Sequence, residues 1–233
     1  MGSSVGRSLR TIAVSAGLAL LSGCSTPPAN GPADAGADNA PTCQDFTGPI
    51  PGMPVATFDT DTEQFILDPA SANSPFTNLG DPDAGVTPPA SLGYLGTEGN
   101  PNPGSLEIFA PFFGANQDLV AYRYYGCGVL HDWTGKVLRA RIKMLEGTFT
   151  GAVLFYVGTS TTCASFDFAY AGFASLSPNS CWQELYLDLT TPVTKTAAYD
   201  PGSVITFGVQ FWSESTGTAA TPATFVIDSF SVE

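Results

Sequence analysis

The chain has 233 residues, of which 43% are hydrophobic and 12% charged, with 25 Gly, 19 Pro and a formal net charge of -13. This length and apolar content suffice for one packed domain with extras. Low charge with abundant Gly, Pro and aromatics argues against a helix bundle or coiled coil, and the acidic balance argues against a nucleic-acid footprint.

The first element is an address. Arg7 and Arg10 precede an apolar run from Thr11 to Ser22. A bilayer span takes about 20 apolar residues, so this shorter run reads as the core of a secretion signal. It closes on Leu21-Ser22-Gly23-Cys24, which resembles the bacterial lipobox. The resemblance implies that residues 1–23 are removed and that Cys24 is acylated, so that lipid alone holds the protein to the membrane. Ser25 after the cysteine implies, by the same likeness to sorting signals, the outer membrane rather than inner-membrane retention. Loss of Arg7 and Arg10 takes the charge from -13 to -15. Residues 24–42 hold no aromatic and no large aliphatic residue. Burial there cannot offset the entropy of ordering, so they read as a flexible tether before a domain at 43–233.

There are five cysteines. With Cys24 given to lipid, Cys43, Cys127, Cys163 and Cys181 remain, an even set that suggests two disulfides in an exported chain. Three connectivities are open. The favoured one joins Cys163 to Cys181, closing a hairpin-sized excursion, and Cys43 to Cys127, pinning the first ordered segment to the body. A reduced, buried thiol pair is the alternative. One His and no C-x-x-C motif argue against a zinc site.

From Val55 onward the pattern is β. Period-2 alternation predicts strands over Ser105–Phe112, Leu119–Tyr125, Val137–Leu145, Ala152–Val157, Ser165–Ala171, Trp182–Leu189, Val204–Trp212 and Thr224–Val232. Stretches such as Gly99-Asn100-Pro101-Asn102-Pro103-Gly104 and Asp200-Pro201-Gly202 separate them. Ala70–Pro89 reads as a long surface loop. About ten antiparallel strands without a βαβ rhythm predict an all-β, two-sheet sandwich.

Alternation also assigns faces. Ile205, Phe207, Val209 and Phe211 go inward, leaving Thr206, Gly208, Gln210 and Trp212 on the other side. Leu138, Ala140 and Ile142 go inward, with Arg139, Arg141 and Lys143 outward. Five of the six cations after the signal lie between Arg123 and Lys143. They read either as a solvated basic strand or as a strip meeting an anionic or hydroxyl-rich ligand.

The order of pieces then suggests a family. Asp132-Trp133-Thr134-Gly135-Lys136-Val137-Leu138, Trp182-Gln183-Glu184-Leu185, Phe207-Gly208-Val209-Gln210-Phe211 and Phe225-Val226-Ile227-Asp228 are four of its pieces. Together they resemble the galactose-binding-like jelly rolls, especially carbohydrate-binding modules of bacterial glycanases, over roughly Val55 to Glu233. The resemblance implies a glycan-binding face on one sheet. Sugars stack their C–H faces on aromatic rings and offer hydroxyls to amides and guanidinium groups. Trp212 and Gln210 supply both, with Arg141 and Tyr156 as candidates from neighbouring strands. The plainer alternatives are packing of Trp212 under a loop and a solvated Gln210. Trp133 reads as a core plug or an exposed platform, and His131 beside Asp132 as exposed. The superfamily also implies a structural Ca²⁺, with Asp59 and Asp228 at the matching places and Glu63 as a weaker addition; two surface acids without an ion are the alternative.

No E-x-D-x-E strand, G-x-S-x-G or H-E-x-x-H occurs, so no catalytic residue is assigned and no catalytic cofactor expected. The reading is a monomeric, lipid-anchored β-sandwich that binds poly- or oligosaccharide without catalysis. A structural or interaction lipoprotein without a sugar site, and a glycan-active enzyme, are the other possibilities.

Overall fold

A computed structural model describes residues 46–69, 76–149, 151–162, 165–176, 181–213 and 221–233. Cys24, Cys43 and Cys163 lie outside these. In chain order the strands are β1 Met53–Ala56, β2 Ile66–Leu67, β3 Thr77–Asn78, β4 Ser91–Leu95, β5 Ser105–Ala110, β6 Gln117–Tyr124 and β7 Val137–Glu146. They continue with β8 Gly151–Thr159, β9 Asp167–Tyr170, β10 Gln183–Asp188, β11 Thr194–Lys195, β12 Val204–Ser213 and β13 Ala223–Val232.

They form two sheets. The first runs β10-β7-β13-β5-β4, with β1 on β13; the second runs β11-β9-β8-β12-β6-β2, with β3 on β6. All pairings are antiparallel except β3 with β6. The domain is an all-β jelly-roll sandwich. Contacts divide the chain into residues 1–39 and 40–233, and every described residue belongs to the second unit.

Each sheet turns an apolar face inward because side chains alternate along its strands. Leu138, Ala140 and Ile142 of β7 meet Phe207, Val209 and Phe211 of β12 in one core that also holds Phe58, Phe65, Phe155 and Phe230. Phe65 stacks on Phe230 at 5.6 Å and meets Phe207 edge-on at 5.5 Å. Burial of each such ring stabilises the fold by roughly 1.5–3 kcal/mol.

Two details depart from expectation, and a third, Trp133, decides between two open alternatives. A register shift between Val204 and Thr206 puts Val204 in this core, whereas Ile205 is buried outside it. The bulge inserts one residue and flips the alternation before it. Trp133 is a core plug at 3% exposure, packed 5.6 Å from Phe207. His131 is not exposed: it is half-buried in a bridge to Val204, with its ring 4.0 Å from that of Tyr125.

Candidate functional site

The outer face of the second sheet is the unusual surface. Strand register places Tyr170 of β9, Tyr156 of β8, Gly208 of β12, Tyr122 of β6 and Ile66 of β2 in one row across the sheet. The next row runs Phe168, Gly158, Thr206 and Tyr124. Two glycines therefore stand within these rows, each flanked by rings, and the face carries a trough lined by those rings. The absence of a side chain at each glycine is built in. A Cβ on Gly208 would strike the Ala121 carbonyl and lie 2.8 Å from Tyr122 Cβ, and one on Gly158 would strike Thr206 Cγ2.

The trough holds a cavity of about 290 Å³ lined by Asp68, Tyr122, Tyr124, Tyr156, Phe166, Phe168 and Thr206. That is the low end of the roughly 300–1,000 Å³ usual for small-ligand sites. The rings brace one another: Tyr156 and Phe168 are 6.1 Å apart, and Phe166 and Phe168 stack at 6.4 Å. A second apolar cluster, separate from the sandwich core, joins Val120, Leu154 and Tyr156 with Tyr122, Phe168, Tyr170 and Trp212. Asp68 stands at the rim, half-buried, with its N–H donating to the Val120 carbonyl at 3.0 Å and its carbonyl accepting from Asn78 Nδ2 at 3.0 Å. Burial raises the phenols of Tyr122 and Tyr170 above their ordinary range and Tyr156 well above it, and the charge of Asp68 adds to the rise at Tyr122 and Tyr156.

The expected ligand residues divide. Tyr156 lines the cavity. Trp212 and Gln210 share its face, but Gln210 is 3% exposed and its Nε2 donates to Asp118 Oδ2. Trp212 is half-buried, stacked on Phe76 at 5.2 Å and covered by Phe173 at 5.0 Å. Its Nε1 is buried with no hydrogen-bond partner among the described residues. The indole and amide thus lie at a covered end of the face instead of open to water. Arg141 is corrected outright: it belongs to β7 of the other sheet, is 3% exposed, and donates from one nitrogen to the carbonyls of Gly48 and Asn100 and to Asn100 Oδ1. Tyr122, Tyr124, Phe166 and Phe168 were missed, although spacings of two residues within strands put such rings on one face.

Asp228 is 6% exposed and its carboxyl is raised to about 6, by desolvation first and by the neighbouring charge of Asp59 last, against lowering by the Asn100 N–H, Arg141 and Ser229. Asp59 and Asp228 are thus close enough to sense one another's charge. No group of three or more His, Cys, Asp or Glu suited to a metal occurs among the described residues. Glu63 is committed elsewhere: its Oε1 accepts from the N–H groups of Thr57 and Phe58, and its Oε2 pairs with Arg123 at 3.2 Å. Cys127 and Cys181 are disulfide-bonded. The expected pairing involves Cys43 and Cys163, outside the described residues.

No family model matches the chain, and no curated protein does. Solved structures do. A non-crystalline cellulose specific carbohydrate-binding module, CBM28, is 9% identical, with 81% of this chain and 97% of that one covered at a TM-score of 0.50. An exo-beta-agarase is 10% identical at a TM-score of 0.50, with 78% of this chain but 25% of the agarase covered. The CBM22-1 xylan-binding domain from Paenibacillus barcinonensis is 11% identical, with 79% and 97% covered at a TM-score of 0.47. The fold is the jelly roll of carbohydrate-binding modules.

Proposed function

We propose that this domain binds poly- or oligosaccharide in the trough on the outer face of its second sheet, without catalysis. One observation carries the reading: Tyr122 and Tyr124 of β6, Tyr156 of β8 and Phe168 of β9 line one cavity together with Asp68. Aromatic faces take the C–H surface of a pyranose, and a carboxylate accepts from its hydroxyls. CBM28 and its cellulose specificity lend support through the shared fold. A glycosidase needs two carboxyl groups about 5–5.5 or 6.5–9.5 Å apart across the bond it cleaves, whereas Asp68 is the single carboxylate lining the cavity. Acylated Cys24, an outer-membrane location, a monomeric state and a structural Ca²⁺ at Asp59 and Asp228 complete the proposal. The ion would tie the start of the domain to its last strand.

A glycan array followed by titration calorimetry on the processed chain tests it. Tyr156→Ala and Tyr122→Ala should each weaken binding about tenfold, or 1.4 kcal/mol. Absence of any bound glycan, or unchanged affinity in both variants, would overturn it.

A further inference from the structure

We infer that the free edge of β10 takes an extended, basic segment of another protein as an added antiparallel strand. This site is separate from the trough and does not depend on the glycan reading.

β10 ends the first sheet: it pairs with β7 and with no other strand among the described residues. The Leu189 N–H donates to the Lys136 carbonyl at 3.0 Å, and the register with β7 steps back from there. Bonding residues alternate along an antiparallel pair, so Gln183, Leu185 and Leu187 direct their backbone groups to β7. Glu184, Tyr186 and Asp188 turn theirs to the free edge. Such an edge is a template for another chain. A cavity of about 480 Å³ adjoins it, lined by β10 from Glu184 to Asp188, by Val153 and Phe155 of β8, and by Phe173 and Val193. Tyr186, Phe173 and Val193 are all exposed.

Charge chooses the occupant. Glu184, Tyr186 and Asp188 share one face of β10. Glu184 meets Arg139 and Arg141, but no ion pair among the described residues reaches Asp188. Its carboxylate accepts from the Thr191 hydroxyl and from the N–H groups of Thr190 and Thr191. These bonds hold it below the ordinary carboxylate range, so it is charged at neutral pH. A strand laid on this edge gains by setting Lys or Arg opposite Asp188, with apolar residues at the alternate positions on the side of Leu185 and Leu187. A second copy of this chain fits badly. A two-fold pair centred on Tyr186 sets Glu184 of each copy against Asp188 of the other, and directly opposed like charges are destabilising. Residues 25–42 fit badly as well: they carry Asp34, Asp38 and four prolines, with no Lys or Arg, and a proline cannot donate to a ladder.

The test uses the full processed chain and the capped peptide Thr-Lys-Val-Thr-Val-Lys-Thr, with fluorescence anisotropy for affinity and amide hydrogen exchange for location. In the free chain the amides of Glu184, Tyr186 and Asp188 should exchange fast and those of Leu185 and Leu187 slowly. Bound peptide should slow the first three by at least about tenfold. N-methylation of the central Thr and one Lys, whose N–H groups would face β10, should weaken binding at least about tenfold. N-methylation of the two Val, whose N–H groups would face away, should weaken it less than about twofold. These peptides carry the same charge, so a difference among them is not bulk attraction to an acidic protein. Exchanging both Lys for Glu should weaken binding at least about tenfold. No binding at about 1 mM peptide, or equal loss from either methylation, would overturn the inference. So would slow exchange at Glu184, Tyr186 and Asp188 in the free chain, or peptide protection confined to β6 and β8, which would place the peptide in the trough. Each of these outcomes leaves the glycan reading standing.

Discussion

Gln210 Nε2 donates to Asp118 Oδ2 at 3.2 Å, a diagonal link between β12 and β6, since Gln210 faces Val120 and Trp212 faces Asp118. Both residues are buried. The bond takes up the amide that would otherwise meet a sugar, so Gln210 acts on stability. Gln210→Leu should cost about 1.5–3 kcal/mol, the range for a hydrogen bond to a charged group. Gln210→Leu with Asp118→Leu should recover part of this, because two apolar partners leave no desolvated charge. Urea denaturation reads both, and glycan affinity should change less than twofold. A large affinity loss in a stably folded Gln210→Leu would return the amide to the binding site.

Arg141 organises the opposite layer. Its guanidinium lies 4.2 Å from the Phe46 ring, donates to the Gly48 carbonyl at 2.6 Å and approaches Glu184 at 3.6 Å. Removing it leaves Glu184 to Arg139 alone and strands the carbonyls of Gly48 and Asn100, so Arg141→Met should destabilise the domain by about 1–3 kcal/mol for each stranded carbonyl. Glycan affinity of the folded fraction should be unaffected, because the trough is on the other sheet. Weakened binding without a fall in melting temperature would contradict this division of roles.

If Asp59 and Asp228 hold Ca²⁺, chelator should lower the melting temperature, and Ca²⁺ at 100 times its dissociation constant should restore about 2.7 kcal/mol. Asp228→Asn should abolish that response. Calorimetric scans that coincide with and without chelator would remove the ion from the proposal.

The long strands were legible because their apolar residues recur at period two: Ser105–Ala110, Val137–Glu146 and Ala223–Val232 lie almost where alternation put them. The two-residue strands β2, β3 and β11 were not, since so short a segment carries no period; β3 even falls inside the stretch read as loop. Alternation placed Trp212, Gln210 and Tyr156 on one face correctly. It could not reveal that Phe76 and Phe173 cover the indole, because those contacts come from loops distant in sequence. Nor could it show that Arg141 lies on the other sheet, because strand order, unlike strand face, leaves no local trace.

The buried phenols predict an alkaline signature. Tyr125 and Tyr199 are pushed up to about 12 by burial foremost, and Tyr122, Tyr156 and Tyr170 are raised as well. A phenol whose pKa is higher in the folded state stabilises the fold fully below its unfolded value near 10, and this is lost as pH climbs through the raised value. Phenolate absorbance should therefore rise in two phases, the later one above about pH 10 and coincident with unfolding by circular dichroism. Below that range glycan affinity should not follow tyrosine ionisation. A single native-state phase centred near 10 would contradict the burial of these rings.

The disulfide pattern is the last prediction, and it departs from the pairing favoured by sequence spacing. Cys127 Sγ lies 2.8 Å from Tyr124 Oη, and the Tyr124 ring is 6.3 Å from that of Phe166, three positions after Cys163. Cys181 is buried just before β10, where Gln183 faces Ile142 and Glu184 faces Arg141. The guanidinium of that same Arg141 carries the ring of Phe46, three positions after Cys43. Three residues reach at most about 10 Å, so these described neighbours favour a different partner for each described half-cystine. The expected links are Cys127 to Cys163 and Cys181 to Cys43, the second tying the start of the domain to the first sheet. Non-reducing peptide mapping separates this from the alternatives. A Cys163–Cys181 peptide would show that chain proximity, not these neighbours, sets the pairing. With the expected links, Cys43→Ala should lower the melting temperature by loosening the Phe46 contact with Arg141, whereas Cys163→Ala should disturb the trough near Phe166.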